Sequence, residues 1–322
     1  MKLICTAALL GAAFVTPAAA KELKVGYALA EDSHYGVAAK AFEKSVTDQL
    51  GDAFTFQDFP SSGLGGEREV IEGVQLGTVD MTIVSTGTLS NFVPEVGVFD
   101  VPFLFTSLDH ARKVLDGDIG QEMLAKFDDA GIHALAWGEQ GFRHITNNRG
   151  PVVTPEDAKG LKLRTMENPV HIEAFEALGA APTPMAWPEV IGALQQGAID
   201  GQENPLSVIV SAKLNEVQKY LTLDGHVYSP AVILISPSLW DSLDDDQKAA
   251  FDKAAADAVT AMRGYVDDVE ASGVETLKQA GMEVNELSAD QKAAFRAALE
   301  EPYKDYENQF GKDLMDRIQA EQ

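Results

Sequence analysis

Two hydrophobic rhythms alternate along the first third of this chain. Residues 23–29 and 54–59 carry apolar side chains at every second position, the pattern of half-buried strands. Between them, residues 35–50 place Val37, Ala38, Ala41, Phe42, Val46 and Leu50 at helical spacing. A turn over 61–66 leads to a predicted helix over 67–76 and a strand over 81–84. This β-α-β-α-β order predicts a parallel sheet covered by helices, with ligands expected outside the carboxyl ends of the strands.

The pattern restarts near the middle. Residues 132–137 are apolar enough for a buried strand, and Ile145 sits in a short strand before the turn at Asn147-Asn148-Arg149-Gly150-Pro151. Thr154-Pro155-Glu156-Asp157 supplies an N-cap, a proline at the first helical position and acids in the first turn. A strand over 161–165 and helices over 169–178 and 187–196 complete a second α/β unit. Beyond it the chain reads as helical. From Asp244 to Gln279 apolar residues recur close to a 3.6 period, longer than the usual globular helix, so this element is expected to span both units. Gly264 and Gly273 are places where it could bend. Asp244 with Gln247, and Ser288 with Gln291, have the spacing of capping boxes.

Composition narrows the class. Lys2, the apolar stretch 3–15 and Pro17-Ala18-Ala19-Ala20 form a predicted signal peptide over 1–20, so the mature chain is expected to be exported and soluble, without membrane insertion. Cys5 is the single cysteine. Its loss with that segment excludes disulfides, thiolate metal sites and a cysteine nucleophile. Lys and Arg number 25 against 50 Asp and Glu, a formal net charge of −25. Such a surface repels phosphate backbones and anionic lipid, which argues against nucleic acid or membrane-surface partners. An anionic ligand would also be repelled at long range, so local arginines would have to capture it.

Catalytic signatures are missing. There is no G-x-S-x-G, H-E-x-x-H or phosphate loop. Ser62-Gly63-Leu64-Gly65-Gly66 has the wrong glycine spacing for a dinucleotide turn, and Glu67 would repel a pyrophosphate. The six histidines show no paired spacing. No enzyme, metal or cofactor is implied.

The most specific strings are central: Gly141-Phe142-Arg143-His144-Ile145-Thr146-Asn147-Asn148, Gly160-Leu161-Lys162-Leu163-Arg164, Pro182-Thr183-Pro184-Met185-Ala186-Trp187, and Gly197-Ala198-Ile199-Asp200-Gly201-Gln202-Glu203-Asn204-Pro205. With Pro60-Ser61-Ser62, Leu64-Gly65-Gly66-Glu67-Arg68 and Pro102-Phe103 upstream, the chain resembles the DctP-type solute-binding proteins of tripartite ATP-independent periplasmic (TRAP) transporters. The resemblance implies a two-lobed α/β periplasmic binding protein of type II-like architecture, with a ligand cleft between the lobes and a long C-terminal helix spanning both. The expected division is 21–140 plus 230–269 for lobe I and 141–229 plus 270–322 for lobe II. It also implies a monomer in the periplasm that passes a small organic acid to membrane permease subunits. An importer- or sensor-coupled binding role and a secreted sugar-acid enzyme are the alternatives.

Site residues follow from the same resemblance. Arg164 corresponds to the arginine that pairs with the ligand carboxylate, and alternation in Leu161-Lys162-Leu163-Arg164 sets it on the face opposite Leu161 and Leu163. On the residues alone it could equally be a surface salt-bridge arginine. Arg143 matches a second ligand arginine or a hinge-structuring one, and Asn204 a carboxylate-binding asparagine or the N-cap ahead of Pro205. Trp187 is a cleft wall or a core residue. Glu67 reaches toward ligand hydroxyls or caps its own helix. Ser85 and Thr86 are candidate hydroxyl donors, and His34 lies at the end of the first strand. Ala28 and Ser85 argue against a large amino sugar acid, leaving a C4-dicarboxylate or a hexuronate.

Overall fold

A computed structural model of the chain describes residues 20–321, and the predicted signal peptide otherwise lies outside the described residues. Nine strands form one mixed sheet: β1 (Lys21–Tyr27), β2 (Phe54–Phe59), β3 (Met81–Ser85), β4 (His133–Asn147), β5 (Lys162–Thr165), β6 (Ala181–Pro184), β7 (Gly201–Pro205), β8 (Tyr220–Ile235) and β9 (Glu283–Glu286). Their order is β2-β1-β3-β8-β4-β7-β5-β6, with β9 beside the start of β8. The predicted parallel ladder of the first unit is present as β2-β1-β3, and β5 lies parallel to both β6 and β7.

β4 and β8 join the two halves. They run antiparallel along their whole length, and each belongs to both lobes. The end of β8 pairs with β3 in the first lobe, while the end of β4 pairs with β7 in the second. The sequence reading split β4 into two short strands and missed β8. The physical cause is visible in β8, where Asp224-Gly225 and Ser229-Pro230 look like turns. Neither is a turn: Asp224-Gly225 belongs to a bulge of β8, and Ser229-Pro230 stays in the ladder opposite a bulge of β4. Pro230 lies where the register shifts between Glu139 and Gly141, a position that tolerates a residue lacking its amide donor. Gly225, at φ +59, lies in a second shift, between Val227 and Thr222 on β8.

The helix Asp245–Gln279 is continuous, and both predicted capping boxes are formed. Its first half packs Phe251, Ala254, Ala258 and Met262 on the first lobe with Leu23, Tyr27 and Phe42. Its second half packs Val269 and Leu277 on the second lobe with Val190, Leu194 and Ile209. The expected assignment of 270–322 to lobe II needs correction at its end. Met315 and Ile318 of the helix Lys312–Ala320 join Phe127 and Ile132 in the first lobe's core, and the Ile318 carbonyl lies 2.7 Å from His110 Nε2. The tail therefore crosses back, driven by burial of that apolar face. No helix among the described residues is long and apolar enough to cross a membrane.

Phe251 is fully buried edge-on between Phe42 and Phe54, with ring centroids 5.5 and 5.2 Å away. Phe251→Ala is expected to destabilise the protein by about 3–5 kcal/mol in urea unfolding. A loss below about 1 kcal/mol would show that the long helix does not depend on this anchor.

Candidate functional site

Strand β5 delivers Arg164 to the cleft. Leu163 enters the second lobe's core, and alternation turns Arg164 the other way, where it is 3% exposed. The Met185 carbonyl accepts from Nε at 2.9 Å and from Nη2 at 2.7 Å. That fixes one edge of the guanidinium and leaves its end free: Nη1 and the outer hydrogen of Nη2 have no acceptor among the described residues. Nor does any carboxylate there form a salt bridge with Arg164. Burial lowers its pKa to about 10, with the like charge of Arg143 adding to the effect against Glu203 and Glu67, so it stays charged at neutral pH. The Trp187 ring centroid lies 5.9 Å from its Cζ, within cation–π range.

Arg143 is treated differently by the fold. It is fully buried on β4 and pairs side-on with Glu203 of β7, Nε donating to Oε2 and Nη2 to Oε1 at 2.9 Å. Nη2 also donates to the Glu203 carbonyl at 2.6 Å and to Asn204 Oδ1 at 3.3 Å, and Nη1 to Ser229 Oγ at 3.3 Å. Its charge is thus neutralised within the protein. Behind the pair, His226 Nε2 lies 3.1 Å from Glu203 Oε2, and its Nδ1 lies 2.7 Å from Asp224 Oδ2. Asp224 and His226 reach this position because the Gly225 bulge lifts them out of the ladder. Burial alone would lower the His226 pKa, but Asp224 and Glu203 hold it up to about 9. Burial likewise opposes ionisation of Glu203, and Arg143 with His226 overcomes it, keeping the carboxyl well below its usual range.

Glu67 faces the cleft from the first lobe. It opens the helix Glu67–Leu76 but does not cap it: Oε1 accepts from the Ser85 amide at 3.0 Å and the Tyr35 hydroxyl at 3.5 Å, and Oε2 from Thr88 Oγ1 at 2.7 Å. Burial raises its pKa, with the Thr88 and Ser85 hydrogen bonds and both arginines pulling it down. The lobes touch across the cleft, where Ser85 Oγ lies 3.2 Å from Met166 Sδ and Asn91 Nδ2 donates to the Glu167 carbonyl at 2.7 Å.

Six of the eight expected residues line this cleft together: Arg164, Arg143, Asn204, Glu67, Trp187 and Ser85. Asn204 lies in β7 and is no helix cap, since Pro205 occupies that position. Two expectations need correction. Thr86 is fully buried and donates to Asp100 Oδ1 at 3.0 Å, because the short helix Thr86–Leu89 turns it inward and presents Thr88 instead. His34 is fully buried behind the wall against Tyr35, its pKa held down to about 3 by burial. Tyr35, Thr88, Gln140, Met166 and Met185 also line the cleft and were not foreseen. The Ser85–Thr88 spacing of one helical turn was the available signal for Thr88. Gln140 is the extra residue of a bulge, which strand alternation does not reveal.

Residues 25–309 match the sequence profile of the bacterial extracellular solute-binding protein family 7, DctP. A TRAP periplasmic solute-binding protein from Bordetella, with density assigned to pantoate, superimposes with a TM-score of 0.91 at 59% identity, covering 94% of this chain and 99% of that one. A Polaromonas TRAP solute-binding protein bound to D-erythronate gives a TM-score of 0.91 at 50% identity, covering 93% and 98%. The C4-dicarboxylate-binding periplasmic protein of Rhodobacter capsulatus is 31% identical over 95% of this chain and 94% of its own.

His226 gives the site a measurable signature. Its folded pKa of about 9 exceeds its ordinary 6.5, so its contribution is fully present below pH 6.5 and is lost as pH rises through about 9. Urea unfolding free energy is expected to fall across that interval, by up to about 3 kcal/mol. His226→Gln should flatten the slope there, and an unchanged slope would remove His226 as its source.

Proposed function

This chain belongs to the bacterial extracellular solute-binding proteins of family 7, the DctP type of TRAP transporters, and we propose that its cleft captures an organic-acid anion through Arg164. In this reading the chain loses residues 1–20 on export and works in the periplasm as a monomer. It binds rather than transforms its ligand, and hands it to an ion-gradient-driven membrane permease.

The observation that carries the proposal is a buried guanidinium whose end fork is unoccupied. Removing a cation from water is costly unless an anion meets it, and Arg164 has only the Met185 carbonyl. A ligand carboxylate docking on Nη1 and Nη2 would complete the fork with two parallel charge-assisted bonds. Asn204 Nδ2, already donating to Gln202 Oε1, has a second hydrogen for the same carboxylate, and so does Arg143 Nη1 beyond its bond to Ser229. Closure of the lobes would expel water and strengthen each contact. The acids named for the related proteins are diverse, and the carboxylate is what they share.

The test is a melting-temperature panel on protein stripped of carried ligand by unfolding and refolding. Aldonates, hexuronates, C4-dicarboxylates, 2-oxo acids and neutral sugars would be compared. A true ligand at about 100 times its Kd stabilises by roughly 2.7 kcal/mol, a shift of several degrees at this size. Arg164→Ala is expected to fold and to lose about 2–5 kcal/mol of affinity. Near-normal affinity in that variant, or no shift with any acid, would overturn the assignment.

A further inference from the structure

We propose that this cleft selects a hydroxylated monocarboxylate over a dicarboxylate, because it offers one uncommitted buried cation, Arg164, and confronts the far end of the ligand with the carboxylate of Glu67. The inference rests on reading the cleft as an organic-acid site and deepens it.

Three arginines line the cleft, which by count alone would suit a dianion. Their commitments differ. Arg143 is held side-on by Glu203, with both oxygens used. Arg68 is on the rim with its side chain 50% exposed, 3.4 Å from Glu72 and over the Phe92 ring. A solvated cation of this kind returns little when a ligand carboxylate is stripped of water. Arg164 alone is buried with its fork open.

The opposite wall is an acceptor. Tyr35 and Thr88 spend their hydroxyl hydrogens on Glu67, and the Ser85 amide does the same. A carboxylate has about four lone-pair directions, so Glu67 keeps capacity for one more donor, which a ligand hydroxyl supplies. A second ligand carboxylate supplies none. It would bring acceptor against acceptor and like charge against like charge at Glu67, with the exposed Glu167 at the cleft's edge adding to the repulsion. Discrimination would then come from repulsion of the wrong ligand as well as attraction of the right one. A site built around a hydrogen-bond acceptor rejects analogues lacking the donor by large factors.

Matched acids isolate this charge. D-erythronate and meso-tartrate have the same carbon count and configuration, as do D-galactonate and galactarate, and within each pair a terminal hydroxymethyl becomes a second carboxylate. Calorimetric titration of refolded protein is expected to show the tightest acid of the whole panel to be a monocarboxylate, and each diacid at least about 100-fold weaker than its partner. Glu67→Gln should narrow that ratio at least about tenfold, by weakening the monocarboxylate and easing the diacid. A diacid as the tightest ligand, or within about tenfold of its partner, would overturn the inference while leaving the organic-acid function standing. An unchanged ratio in Glu67→Gln would overturn the role given to Glu67; should that variant fail to fold, the wild-type pairs decide. No binding by any acid would instead overturn the function itself.

Discussion

Burying a guanidinium obliges the fold to supply a counter-charge, and this molecule answers that demand in two different ways. Arg143 receives Glu203 from the neighbouring strand, in register, with His226 and Asp224 behind it. Arg164 receives one backbone carbonyl. The satisfied arginine is a fixed part of the interior, and the other carries a desolvation cost that no contacting carboxylate among the described residues offsets. Removing Glu203 would make both arginines alike and erase the distinction on which the cleft's charge balance depends.

The same pair ties the binding site to the joint between the lobes. Arg143 lies in β4 just past the Gln140-Gly141 bulge, where Gly141 takes φ +107. A Cβ there would meet Glu270 Oε1 of the long helix at 3.2 Å, so the bend and the helix are packed as one unit. Bulges in β4 and β8 thus do two jobs. They let two long strands change direction between lobes, and they turn Gln140, Asp224 and His226 inward. The strand pair that joins the lobes therefore also contributes side chains to the cleft.

Much of this was legible in the sequence, for identifiable reasons. Helical period and capping chemistry located the long helix to within one residue, because Asp244 and Gln247 act locally. Strand alternation set Arg164 against Leu163. What local rules could not reveal was tertiary. β8 hid behind Asp-Gly and Ser-Pro pairs that ordinarily signal turns; here the first lies in a bulge and the second faces one on β4. Glu203 stood in the quoted motif, yet its pairing with Arg143 depends on β4 lying beside β7, a contact separated by 60 residues. Without that pairing, the sequence could not show that Arg143 is committed to Glu203 while the end of Arg164 stays open. Thr86 failed through the phase of a single short helical turn, and His34 because the end of a strand can face the core as readily as the cleft.

The strong acidity of the chain gains a meaning from this arrangement. With a net charge of −25 the protein repels anions at long range, more strongly for a dianion than for a monoanion. Screening confines that repulsion to about 8–10 Å at ordinary salt. Inside the cleft the balance is set by groups in contact, where the dielectric is low and one unmatched charge outweighs many distant ones. On the proposed reading, the protein gains little from electrostatic steering and discriminates after encounter, through completed or uncompleted pairs. A single open guanidinium and a braced carboxylate would then match one charge and one donor, and a ligand carrying a different balance would leave a buried group unsatisfied.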